Sequence, residues 1–135
     1  MYKNILIPVA LDHGANIDTA ISVARKLQSK DAKITLVAVI EDVPSYVAEY
    51  ASVKPEQHIM PAIKERLKAY AEGQANFEVA IMTGKPGVAI PDLAEETDAD
   101  LIVIGSHKPG VEDYFLGSTA SRVVRRAPCA VMVIR

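Results

Sequence analysis

The sequence predicts an α/β domain: a five-stranded, mostly parallel sheet in the order 3-2-1-4-5, with four helices distributed over both faces. Three observations predict it. Short runs rich in Val and Ile alternate with helix-period segments along the chain, and such alternation builds parallel sheets because right-handed crossovers carry helices to both faces. With 135 residues, 50% of them hydrophobic, residues 1–135 can bury one core and read as a single domain. Glycine and hydroxyl residues gather after the fourth apolar run, and that placement selects the strand order.

Asn4 to Val9 is a β-favouring apolar run closed by turn formers, and Ile34 to Ile40 repeats the type; both read as strands buried on two faces. Between them Ile17, Ile21, Ala24 and Leu27 recur at helical spacing, with Asp18, Arg25 and Lys26 on the remaining positions and Asp12 to Asn16 offering caps. Residues 41–54 keep no period and read as a long irregular loop, with room for a helical turn around Tyr46 to Tyr50. A second helix is expected from Met60 to Ala71, lined by Ile63, Leu67 and Tyr70 on one side and by Lys64, Glu65 and Lys68 on the other, with Pro61 in its first turn.

Phe77, Val79 and Ile81 alternate with Glu78 and Ala80, the pattern of a strand near a sheet edge, and Gly84 to Gly87 stop it. A short helix follows with Ile90, Leu93 and Ala94 inward and Asp92, Glu95 and Glu96 outward. Leu101 to Ile104 is the most hydrophobic run and is expected at the centre. Thr119 to Arg126 reads as a helix with Ala120, Val123 and Val124 toward the core and Arg122, Arg125 and Arg126 facing out, into solvent or into a dimer contact, ended by Pro128. Ala130 to Ile134 is the last strand.

A net charge of −2 gives no positive field, which argues against nucleic acid and against anionic membrane surfaces as partners. Cys129, the single cysteine, rules out an internal disulfide and reads as a small core hydrophobe in a reducing compartment. No apolar stretch approaches a bilayer span, so the expected location is the cytoplasm.

In an open α/β sheet, ligands bind at the carboxyl ends of strands where the strand order reverses. In the order 3-2-1-4-5 that point is flanked by Pro8-Val9-Ala10 and by Gly105-Ser106-His107. The order 2-1-3-4-5 would put strands one and three there instead; the chemistry after strand four favours the first. Gly105 lets a ligand approach the backbone. Gly117, Ser118 and Thr119 open a helix, where unpaired amides and the positive end of the macrodipole attract anions. Lys108 adds a full charge, and eleven residues between the two glycines can arch over phosphates, with Tyr114, Phe115 and Leu116 pinning the far end to the core.

Other phosphate motifs fail: Gly105 and Gly110 have the spacing of P-loop glycines, but Val111 and Glu112 stand where Lys and Ser or Thr are required. Neither G-x-G-x-x-G nor G-x-S-x-G occurs. From spacing alone, an ordinary βα connection using the same residues for turns and caps explains the loop equally well. His107 has no ligand spacing to His13 or His58, so no metal site is assigned. Ser106, His107 and Asp113 in one loop carry no triad geometry, and no catalytic residue is assigned.

Over its whole length the chain resembles the universal stress protein family, carried by "ILIPVALD" at the start, "GKPGVAI" at 84–90, "ADLIVIGSH" at 99–107 and "FLGSTASRVVRRAPCAVMVIR" at the end. The resemblance implies an adenine nucleotide alpha hydrolase-like fold and, in the ATP-binding members, a G-x2-G-x9-G-[ST] loop matched here by Gly105, Gly117 and Ser118. Position 108 is Lys rather than Gly and the loop is one residue shorter, similar to a short-loop subgroup for which nucleotide binding is also known. The family's acidic residue after the first strand is Ala10 here, with Asp12 two positions on as a partial substitute.

The resemblance further implies adenine contacts from the backbone of Val39, phosphate contacts from Gly105, Ser106, His107, Gly117, Ser118 and Thr119, and a homodimer. An apolar strand closing the chain supports the dimer independently, because its edge can pair with a second copy. The leading expectation is therefore a dimeric ATP-binding stress-response module with slow or absent hydrolysis. Magnesium, where present, rides on the phosphates, and an unidentified protein is the downstream partner. Two alternatives stay open: an ATP hydrolase or nucleotidyl-transferring enzyme using His107 and Lys108, and a dimer of the same fold with an empty crevice.

Overall fold

The structure, a computed structural model, describes residues 1–10, 17–41, 55–106 and 116–135, the side chains of 55–59 aside. The elements run β1 (Tyr2–Pro8), α1 (Ile17–Leu27), β2 (Gln28–Ile40), α2 (Pro55–Ala71), β3 (Phe77–Thr83), α3 (Pro86–Glu96), β4 (Leu101–Gly105), α4 (Ser118–Arg126) and β5 (Ala130–Ile134). The five strands form one sheet in the order β3-β2-β1-β4-β5, every neighbouring pair parallel. The expected order 3-2-1-4-5 holds, and β1 and β4 meet where the winding reverses.

Two apolar layers enclose the sheet. On one face Ile5, Ile7, Ile34, Leu36, Leu101 and Val103 pack under Ile17, Ala20, Ile21 and Ala24 of α1 and Ile63 and Leu67 of α2. On the other Leu6, Val37, Ile102 and Ile104 pack under Ile90 and Ala94 of α3 and Ala120 and Val123 of α4. Alternate residues of one strand thus feed opposite layers, which is why β4 is apolar at every position from Leu101 to Ile104.

Several boundaries differ from the sequence reading. β2 begins at Gln28, directly after α1, and between Tyr2↔Gln28 and Asn4↔Lys33 it uses five positions against two on β1. Asp31 takes the left-handed conformation at φ 63° within this bulge, and such charged, turn-forming residues hide a strand from a periodicity search. α2 starts at Pro55, so Pro61 lies inside the helix rather than in its first turn; Pro55 supplies the pre-set φ at the helix start instead. Val124, expected inward, is 44% exposed, and Leu116, expected to pin a loop to the core, is 37% exposed. Val123 and Ala120 already fill the space beneath α4, and β5 beyond it is an edge with no further strand to pack against. The proposed turn at Tyr46 to Tyr50 and the caps between Asp12 and Asn16 lie outside the described residues, as do Tyr114 and Phe115.

At the amino end of the sheet, Asp100 ties β1 to β4. Its carboxylate accepts the Lys3 and Asn4 amides at 2.8 and 3.0 Å, while its own amide donates to the Asn4 carbonyl at 2.9 Å. Asn4 Nδ2 adds a bond to the Thr97 carbonyl at 2.5 Å. Asp100→Asn keeps one acceptor without its charge and turns an NH2 toward the other backbone amide; the expected cost is about 2–3 kcal/mol, one charged hydrogen bond weakened and a second lost, read from urea denaturation. The same end holds Cys129, whose thiol is pushed above its ordinary range by burial and secondarily by the Asp100 carboxylate. It stays protonated at neutral pH and is a poor nucleophile.

Candidate functional site

The opposite, carboxyl end of the sheet holds the point where the strand order reverses. β2 follows β1 to Pro8↔Val37, and β5 follows β4 to Gly105↔Ile134, yet β1 and β4 pair only at Ile5↔Leu101 and Leu6↔Ile102. Beyond that register no ladder pairing joins β1 to β4. The reason lies in the sequence. Val9 donates its amide to the Val37 carbonyl at 2.7 Å, so odd positions of β1 address β2, and Asn4, whose carbonyl takes the Asp100 amide, fixes even positions toward β4. Pro8 therefore stands where the next donor to β4 would be, and proline has none.

The predicted residues sort around this point. Pro8 and Val9 end its β1 side, both part-buried, and Ala10 follows, exposed. Gly105 ends the β4 side. Ser106 is 2% exposed; its amide donates to the Ile134 carbonyl at 2.8 Å, and its own carbonyl accepts the Gly117 amide. The Gly117 bond joins the two ends of the loop, and the Ile134 bond anchors its start to β5. The carbonyl of Gly117 is likewise taken, by the Ser121 amide at 2.9 Å and the Ser121 hydroxyl at 3.1 Å. The groups left to meet an anion are the first amides of α4, at Ser118 and Thr119, and no side chain caps this helix start. The helix begins one residue earlier than expected, which makes Gly117 its cap. Asp12, His107 and Lys108 lie outside the described residues.

Val39 is brought to the same end by β2, which outruns β1. The Ile40 carbonyl accepts the Gly84 amide on the β3 side at 2.9 Å, and Val37 faces β1. By the two-residue alternation of a strand, Val39 turns its N–H and C=O toward β1 past the point where β1 has ended. One residue thus offers a donor and an acceptor side by side, the pattern that the edge of an adenine base complements. On the far side stands Gly84, which the sequence reading took only as a stop for the third strand: its φ of +127° belongs to glycine, and its amide ties the end of β3 to β2 behind Val39. Its place in "TGKPG" was the available signal.

The crevice therefore has a helix start for an anion, a buried hydroxyl residue beneath it and a paired donor and acceptor on one wall. Comparison with known proteins gives the same outline a family. The profile described as "Universal stress protein family" matches residues 1–135. The chain belongs to the universal stress protein family. It is 36% identical over 143 aligned residues to a putative universal stress protein of Staphylococcus haemolyticus, covering 99% of this chain and 85% of that one. Among solved structures it is similar to the universal stress protein UspA of Lactobacillus plantarum, at 30% identity and TM-score 0.71, covering 99% and 98% of the two chains.

Two family structures hold adenine nucleotides. A universal stress protein in complex with cAMP superposes at TM-score 0.65 with 21% identity over 99% of this chain and 97% of that one. The Archaeoglobus fulgidus universal stress protein in complex with dAMP does so at 0.68 with 20% identity over 99% and 98%. At such identities the likeness to these two is one of fold. Among the described residues no group of three His, Cys, Asp or Glu could hold a metal ion, and no helix is long and apolar enough to cross a membrane.

Proposed function

We propose that this chain binds an adenine nucleotide, ATP foremost, in the crevice between β1 and β4, and works as a dimeric stress-response module with slow or no hydrolysis. The observation that carries the reading is the end of β1–β4 pairing at Leu6 and Ile102, at the reversal of strand order, beside an uncapped helix start. The phosphates sit against the Ser118 and Thr119 amides, where the macrodipole favours negative charge, with Lys108 and His107 from the loop and Gly105 leaving room. The base lies against the Val39 backbone. Ala10 brings no carboxylate to the ribose side, so Asp12 is the acidic group nearest in sequence. Relatives of the same fold that hold cAMP and dAMP support the choice of an adenine nucleotide. Magnesium has its ligands on the phosphates, and it supplies charge neutralisation there.

The dimer forms through β5. Its free edge is flanked by two exposed apolar side chains, Met132 on the strand and Val124 on the neighbouring helix, 40% and 44% exposed. A second copy pairing along that edge covers both.

Thermal unfolding with ATP, ADP, AMP and GTP, with and without magnesium, tests the reading. ATP at a hundred times its Kd should add about 2.7 kcal/mol to the stability. Gly117→Val puts a β-branched side chain beside the Ser118 and Thr119 amides; it should abolish the ATP shift while the apo protein melts cooperatively. An ATP shift unchanged in that variant places the nucleotide elsewhere, and no shift with any nucleotide leaves the family fold with an empty crevice. Phosphate release measured beside Lys108→Ala separates binder from enzyme: turnover that the variant loses would make the chain a hydrolase.

A further inference from the structure

The α3/α4 layer carries two ridges of opposite charge. α3 exposes Asp92, Glu95 and Glu96 and has no basic residue in its last turn; α4 exposes Arg122, Arg125 and Arg126 and has no acidic residue in its first. The helices are neighbours, since the Arg122 stem lies directly over Gly87. Both connect parallel strands of one sheet and so run in the same direction. Among the described residues none of these six side chains makes a hydrogen bond or an ion pair.

Helix electrostatics account for only half of this. Arg125 and Arg126 suit the negative end of the α4 dipole, but Glu95 and Glu96 sit at the negative end of α3, where carboxylates are disfavoured. Val88 adds an apolar contact on the same outer face of α3, 39% exposed and one turn before Asp92.

We propose that this layer is a docking surface for a second copy of the chain, separate from the β5 edge and independent of the nucleotide reading. Symmetry decides how the ridges meet. A two-fold axis in the contact plane and along the helices sets each α3 on the partner's α4, acid against base; an axis across them would set acid on acid. The charge pattern selects the first, and Val88 of each copy is enclosed between the ridges. Together with the β5 contact this gives assemblies beyond a dimer.

The test is sedimentation of the full chain at low and high salt, in the wild type and in a Met132→Glu background that disables β5 pairing. In that background the protein should still self-associate at low salt and dissociate at high salt. Arg125→Glu and Glu95→Arg should each weaken the association roughly tenfold or more through like-charge contacts, and the double variant should recover it. Circular dichroism confirms that each variant is folded. A monomer at low salt in the Met132→Glu background, single reversals without effect, or a double variant that stays dissociated overturns the proposal.

Discussion

Ile102→Ala lowers the unfolding free energy by about 2–5 kcal/mol, and the melting temperature falls by roughly 10 °C. Ile102 is 0% exposed, on the interior strand β4 and beneath both α3 and α4. Truncation removes apolar atoms and leaves a void walled by Leu6, Ile90, Ala94 and Val123. The strand cannot move to fill it, because its backbone is bonded to β1 on one side and β5 on the other. Met132→Ala, at a site 40% exposed, serves as the control and should cost less than about 0.5 kcal/mol in the monomer. Equal losses at the two positions would mean that the two-layer core described above is misplaced.

Gly87→Val costs about 2–3 kcal/mol by overpacking. A Cβ at position 87 would lie 2.8 Å from Arg122 Cβ and 2.7 Å from Arg122 Cδ, too close for carbon atoms. The Cδ can swing away, but the Cβ is fixed to the α4 backbone, so α3 and α4 must separate. A double-mutant cycle with Arg122→Ala resolves the parts. Removing Cγ and Cδ should return some of the loss, while the Cβ contact keeps the rest. Full additivity would show that the helices are not in contact there.

Most of the architecture was legible because each apolar run feeds a layer. "LIVI" at 101–104, short, apolar throughout and bounded by Asp100 and Gly105, read as a strand covered on both faces. The strand order followed from chemistry, since glycine and hydroxyl residues after β4 implied a crevice beside it. What stayed hidden has local causes. The β2 extension is masked by Lys30 and Asp31, charged residues in a bulge that reads as loop. The first turn of α2 is polar and carries no period. Val124 and Leu116 looked like core from hydrophobicity alone, but burial depends on whether a neighbour exists, and at β5 the sheet ends. In the crevice the residue types were legible and their division of labour was not. Ser106 and Gly117 turned out to bond each other and Ile134, which leaves Ser118 and Thr119 at the reversal of strand order. Pro8 was read as the end of the first strand beside the switch point; its effect on one side of that strand appears only once the neighbours are known.

The arrangement at Asp100 bears on synthesis. Of the five strands, the earliest in the chain becomes the middle of the sheet, and the carboxylate that holds its opening amides is 96 and 97 residues away. Until β4 emerges, β1 can be zipped to β2 along one border only, and its other border is an exposed row of amides and carbonyls. That border of β1 therefore stays open during synthesis until the chain has grown past Asp100 and Leu101, whose arrival closes it.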